Sequence, residues 1–106
     1  GLMRKPVIPR RVATRDAEQA IDLYLAEEAR EAASGFVAAL QEAYEHIGAH
    51  PASGSPRYAY ELDLPGLRSW PLRRYPYVVF YREHEEHIDV WRVLRAERDI
   101  PGWLME

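Results

Sequence analysis

The chain has 106 residues, 47% apolar and 29% charged, with a formal net charge of −3 and no cysteine. That length supports one domain with a modest core, and the missing cysteine excludes disulfides and thiolate metal sites and agrees with a cytoplasmic location. No run approaches the roughly 18 apolar residues a membrane helix needs, and no signal-peptide pattern is visible.

Gly1-Leu2 ahead of Met3 reads as a cloning remnant, so the single domain is expected over residues 3–106. Residues 6–13 read as a short first strand, and Pro6 and Pro9 near its start predict an edge position. Thr14 or Asp16 is then placed to cap a helix, with Gln19 completing a capping box. Ala17, Ala20, Ile21, Tyr24 and Leu25 follow at helical spacing. Glu27-Glu28-Ala29-Arg30 is a polar break, and a second helix runs from it to about residue 48. Phe36, Val37, Leu40, Ala43, Tyr44 and Ile47 form its apolar stripe, and Gly48 with His50-Pro51 is the expected stop. These two helices make a helical hairpin.

Residues 51–66 are rich in Pro, Gly and Ser and read as a connector. Beyond it, runs of Val, Ile, Tyr, Phe and Trp predict three antiparallel strands, the last two joined over Glu83-His84-Glu85-Glu86. The run 77–81 is apolar throughout, which marks a central strand covered on both faces. Arginine recurs at 68, 73, 74, 82, 92 and 95, which reads as a sheet with one apolar and one cationic face. Residues 100–106 are an apolar tail, one helical turn that packs back on the body. The whole is an α+β fold of order β-α-α-β-β-β, an antiparallel sheet with the two-helix hairpin on one face.

Charge is unevenly spread. Residues 57–82 hold five arginines against two acids, and residues 16–45 hold one arginine against eight acids. Strict alternation along the last strand puts Arg92 with Ile88, Val90 and Leu94, and Arg95 with Trp91 and Val93. Either arginine, if partly buried, needs a carboxylate, and Asp89, Glu97 and Asp99 are the nearby candidates. Arg98-Asp99 is placed to pin the tail. Trp91 reads as core and Trp103 as an interface anchor. His84 and His87 flank a turn, and His46 and His50 have no third ligand in view, so no metal site and no cofactor is expected.

Several segments together resemble the RelE/ParE toxin superfamily, and within it the ParE branch. They are Tyr24-Leu25-Ala26-Glu27-Glu28-Ala29, His50-Pro51 with Gly54, Leu64-Pro65-Gly66-Leu67-Arg68, Tyr77-Val78-Val79-Phe80-Tyr81-Arg82, and Val90 through Pro101. The resemblance covers about residues 7–104. It implies the toxin of a type II toxin–antitoxin module, neutralised by a ParD-like antitoxin whose extended segment wraps it in a hetero-oligomer.

The branch decides whether the chain is an enzyme. RelE-type members resemble acid–base nucleases that cut mRNA on the ribosome and need cations around the scissile phosphate. Where that branch carries arginine after the first tyrosine of the third strand, this chain has Val78. Ala96 stands where the second arginine belongs, and Gly102-Trp103 replaces the tyrosine. The departure points to a non-enzymatic inhibitor of DNA gyrase, which meets nucleic acid only through gyrase. The runner-up is a ribosome-dependent endoribonuclease using Arg73, Arg74, Arg95 and Arg98, and a third class is a degenerate toxin that only binds antitoxin. Arg68, Arg73, Arg74, Arg95, Arg98 and Trp103 are the expected gyrase- or partner-facing residues. Tyr24, Leu25, Phe36, Leu40 and Tyr44 are the expected antitoxin-binding stripe.

Overall fold

The computed structural model describes residues 4–105, so the expectations placed on Gly1, Leu2, Met3 and Glu106 lie outside the described residues. The elements run β1 (Val7–Pro9), α1 (Arg11–Ala26), α2 (Arg30–Ala49), a 3-10 turn (Pro51–Ser53), α3 (Arg57–Leu62), β2 (Leu67–Pro71), β3 (Tyr77–Glu83), β4 (Ile88–Arg95) and α4 (Ile100–Leu104). The sheet order is β1-β4-β3-β2. The three later strands pair antiparallel, as their hairpins predict, and β1 joins the edge of β4 in parallel. No helix among the described residues is long and apolar enough to cross a membrane.

The start of the chain differs from expectation. β1 ends at Pro9, and Arg11, Val12 and Ala13 already belong to α1. The N-cap is Arg10, with no side-chain cap, so neither Thr14 nor Asp16 performs that role. Ala13, Asp16, Ala17 and Ala20 make the buried stripe of α1, and small residues there let the helix lie close to the sheet. Asp16 thus faces inward among alanines. Gly48 is a correction too: it sits inside α2, and the C-cap is His50. A Cβ at Gly48 would stand 2.9 Å from the Lys5 carbonyl oxygen, so glycine there serves the close approach of the N-terminal strand.

Both faces of the sheet are covered. The helical hairpin packs on one face, where Phe36 and Ile47 of α2 meet Val79, Tyr81, Val90 and Val93. On the other face Leu67, Phe80 and Leu94 pack against Ile100 and Leu104 of α4, with Tyr58 and Leu62 of α3 alongside. The predicted cationic face is therefore a second apolar core. Part of it comes from the connector, which folds into the 3-10 turn and α3. Tyr81 fastens that segment: its hydroxyl donates to the Pro51 carbonyl at 2.7 Å and accepts from the Gly54 amide at 3.0 Å.

Strict alternation fails in β4. The pairing steps from Phe80↔Arg92 to Tyr81↔Val90, which leaves Trp91 as the extra residue of a bulge. Val90 and Val93 consequently share the hairpin face, and Trp91 and Leu94 share the other. Arg92 stands opposite Phe80 and reaches Asp16, which is not among its expected partners. Arg92 Nε and Nη2 donate to the two Asp16 oxygens at 2.8 Å each, and the Val93 amide donates to Asp16 Oδ2 at 3.0 Å. Arg92 Nη1 also donates to the Trp103 carbonyl at 3.0 Å, which ties down α4. The tail therefore packs back as expected, and Asp99 caps it by accepting from the Gly102 amide at 3.4 Å.

Removing Asp16 takes a buried acceptor from both the Arg92 guanidinium and the Val93 amide. Asp16→Ala is expected to cost about 3–5 kcal/mol in urea unfolding, whereas joint replacement by Asp16→Leu and Arg92→Met costs less than either single change. A second tie has a pH signature. Arg10 Nε and Nη2 donate to Asp89 at 3.0 and 2.8 Å, and Trp91 Nε1 adds a bond at 3.1 Å. Burial pushes the Asp89 carboxyl up, but the Arg10 bonds outweigh it and hold the carboxyl below its ordinary value. A depressed folded-state pKa contributes stability that is present above the unfolded value, about pH 4, and is lost as pH falls through the folded one. Urea midpoints measured from pH 5 down to pH 2 should fall less steeply for Asp89→Asn than for the parent chain.

Candidate functional site

The arginines divide into groups. Arg68 lies on β2, half-buried, and donates from Nη1 to the Gly54 carbonyl at 2.8 Å, so its guanidinium helps to hold the connector. Arg73 and Arg74 lie in the β2–β3 turn, both exposed. Arg74 has φ 68°, a left-handed conformation, and Arg73 sits 3.9 Å from Glu42 of α2. These two line a shallow cavity against α2 with Gly35, Glu42 and Tyr75.

Arg95 and Arg98 lie elsewhere, where β4 runs out toward α4. With Gln19 and Leu23 of α1, Tyr77 of β3 and Trp103 of α4 they line a cleft whose floor includes Asp16. Arg95 Nε and Nη2 both meet Glu97 Oε1 at 2.6 Å, so Glu97 is the one of the three candidate carboxylates that pairs with Arg95. The Arg95 guanidinium also lies over the Tyr77 ring, 5.5 Å from its centroid. Arg98 lies over the Trp103 indole at 4.7 Å, and Arg92 approaches the same ring at 5.3 Å. The Glu97 carboxyl is held below its ordinary value, first by the Arg95 hydrogen bond and also by the charge of Arg98. The cleft thus combines two cations, the Asp16 carboxylate in its floor and an apolar wall, with the exposed Glu97 carboxylate on Arg95 beside it. Leu23 in that wall is 44% exposed.

The helical stripe is mostly spent on the core. Phe36 is fully buried and presents nothing to a partner. It sits inside an aromatic cluster, with ring centroids 5.1 Å from Tyr77, 5.9 Å from Tyr75 and 6.1 Å from Tyr24. Tyr24, Leu40 and Tyr44 are half-buried against the same core. Burial, with Asp16 nearby, pushes the Tyr44 phenol up to about 12. Leu25 is 48% exposed, and Val37, expected to face inward, is also exposed on α2. Leu23 falls outside the stripe at 17, 20, 21 and 24, and that mismatch of phase was the one available sign that it faces solvent. The histidines pair off structurally: His46 stacks on Trp70 at 4.1 Å and His84 on His87 at 4.8 Å. Among the described residues no three candidate ligands are grouped to hold a metal ion.

No curated protein matches the chain. Ten chains of solved structure match. One, described as "Chromosomal ParDE TA system from P. aeruginosa", is 24% identical with a TM-score of 0.73, over 89% of this chain and 98% of that one. At that identity the likeness speaks for the fold: both chains carry the same α+β architecture. Residues 7–100 match the family described as the ParE toxin of the type II toxin–antitoxin system, parDE, and the chain belongs to that family.

Proposed function

We propose that this chain is a toxin that binds DNA gyrase, holds it in its cleaved-DNA intermediate and so blocks replication, and that a ParD-like antitoxin neutralises it in the cytoplasm. Family membership supports the toxin role and the antitoxin partner. The placement of the arginines carries the choice between mechanisms. A phosphodiester nuclease needs its cations and a proton-transfer group around one phosphate. Here Arg73 and Arg74 line one cavity, Arg95 and Arg98 line another, and Arg68 is committed to a backbone carbonyl.

A non-enzymatic poison needs only differential affinity. A ligand that binds one state of a cycling enzyme more tightly than the others accumulates that state. The cleft at the end of β4 supplies the means for such binding: the exposed Arg98 and the half-buried Arg95 beside Trp103 and Leu23, the arginine-and-aromatic composition of interface hot spots. Gyrase and antitoxin compete for this surface, so neutralisation is occlusion. The helical hairpin, with Leu25, Leu40, Tyr44 and Tyr24, extends the area the antitoxin covers.

Purified gyrase, plasmid DNA and this chain should yield linear, protein-linked DNA that disappears on adding antitoxin. Arg98→Ala should reduce potency roughly tenfold, about 1.4 kcal/mol, with an unchanged circular dichroism spectrum. No effect on gyrase at micromolar toxin sinks the reading. Cleavage of mRNA on translating ribosomes would then establish a nuclease, and failure to arrest growth on expression without antitoxin would leave a binding module.

A further inference from the structure

We infer that His46 and His50, at the end of α2, form a two-histidine site for a divalent transition-metal ion of the zinc class. Their spacing in the sequence shows no third ligand, and the structure adds what spacing lacks, the orientation of the two rings. The site is independent of the toxin function proposed above.

An imidazole offers a metal the lone pair that lies in its ring plane, so two rings share an ion only where their planes intersect. The His46 and His50 rings are inclined at 46°, with centroids 5.2 Å apart. Two imidazoles on one tetrahedral zinc ion, each bonded at about 2.0–2.1 Å, have centroids roughly 5 Å apart. His84 and His87 provide the contrast. Their centroids are 4.8 Å apart, but the rings are only 4° from parallel, so their lone pairs run side by side and do not converge. His84 Nε2 also lies 3.5 Å from Asp89 Oδ2.

Ser53 sets the tautomer of His46. The serine hydroxyl has one proton and donates it to the His50 carbonyl at 2.7 Å. His46 Nε2, 3.1 Å from the same hydroxyl oxygen, therefore carries a proton and donates it. Nδ1 is left with a free lone pair, as a metal ligand requires, and the serine is the outer partner that orients the ring. Trp70 holds the ring from its face, stacked at 4.1 Å and 17°. His46 is in the last turn of a 20-residue helix and His50 is its C-cap, so the carbonyl end of the helix dipole favours a cation there. Among the described residues no third side chain completes the set. Water fills the remaining positions, and the ion exchanges readily. When bound, it ties the last turn of α2 to the start of the connector.

The test is an NMR titration of the intact chain with zinc chloride, followed through the histidine ring nitrogens. Before zinc is added, His46 should show a protonated Nε2 and a bare Nδ1. Zinc should shift the His46 and His50 nitrogens, saturate at one ion per chain and leave His84 and His87 unmoved. Magnesium, which prefers oxygen ligands, should shift none of them. His50→Ala should weaken zinc binding at least about tenfold with an unchanged circular dichroism spectrum, and His84→Ala should leave the affinity as it was. His50→Gln, which keeps a polar side chain at the helix end, should lose zinc as His50→Ala does. No shift with zinc, equal shifts at both histidine pairs, binding that survives both His50 variants, or a bare Nε2 on His46 each overturns the inference.

Discussion

The contact between Asp16 and Arg92 holds the architecture in register. β1 pairs with β4 only as far as the Arg10 amide, which donates to the Val90 carbonyl. Beyond that point β4 has an open edge, and the Val93 amide would point at nothing. Asp16 supplies the missing acceptor from α1 while taking the Arg92 guanidinium on both oxygens. One carboxylate thus replaces a missing length of strand, satisfies a buried amide and neutralises a buried cation. Two groups this far from water are expensive to bury, and the pair stands because every bond is directed. Among the described residues no buried side-chain polar atom is left without a partner. A helix shifted by one residue would break three hydrogen bonds at once, so the pair specifies alignment as much as it stabilises.

The cleft is a consequence of that arrangement. The bulge at Trp91 changes which residues of β4 face which way, and it lets Arg92 reach both α1 and the carbonyl of Trp103. α4 is only five residues long and could not hold its place by its own backbone bonds. It is held instead by Ile100 and Leu104 in the second core, by the Asp99 cap and by Arg92. Trp103 is presented beside Arg95 and Arg98 because those three ties converge.

Much of this was legible in the chain. Hairpins, the covered central strand at 77–81, the extent of α2 and the returning tail follow from periodicity, turn chemistry and proline placement. The misreadings have physical causes. Asp16 looked like a cap because aspartate favours helix ends, yet its spacing from Ala13, Ala17 and Ala20 placed it on the buried stripe. Its partner lies 76 residues away, a separation no local pattern reveals. A bulge carries no distinctive residue here, so alternation misplaced Val93 and Leu94 relative to Val90 and Trp91. The connector hid α3 because Pro, Gly and Ser mark its beginning, while the apolar side chains of Tyr58 and Leu62 are too few to show a period. The arginines looked alike in the sequence and are separated only by what each one touches.

That separation orders their roles. A cation serves recognition only if it can exchange partners at low cost. Arg92 cannot, since leaving Asp16 would strand a carboxylate under α1, and Arg68 is bound to a carbonyl that positions the connector. Arg95 and Arg98 can, because their neighbours are an exposed glutamate and the face of an indole. The rigid ion pair and the exchangeable one lie along the same strand, three residues apart. The first fixes the backbone from which the second is displayed, so in the proposed role the guanidiniums of Arg95 and Arg98 would meet a partner from a preorganised frame. A small, net acidic chain thereby presents a local cationic site whose geometry is set by the Asp16–Arg92 contact at its floor.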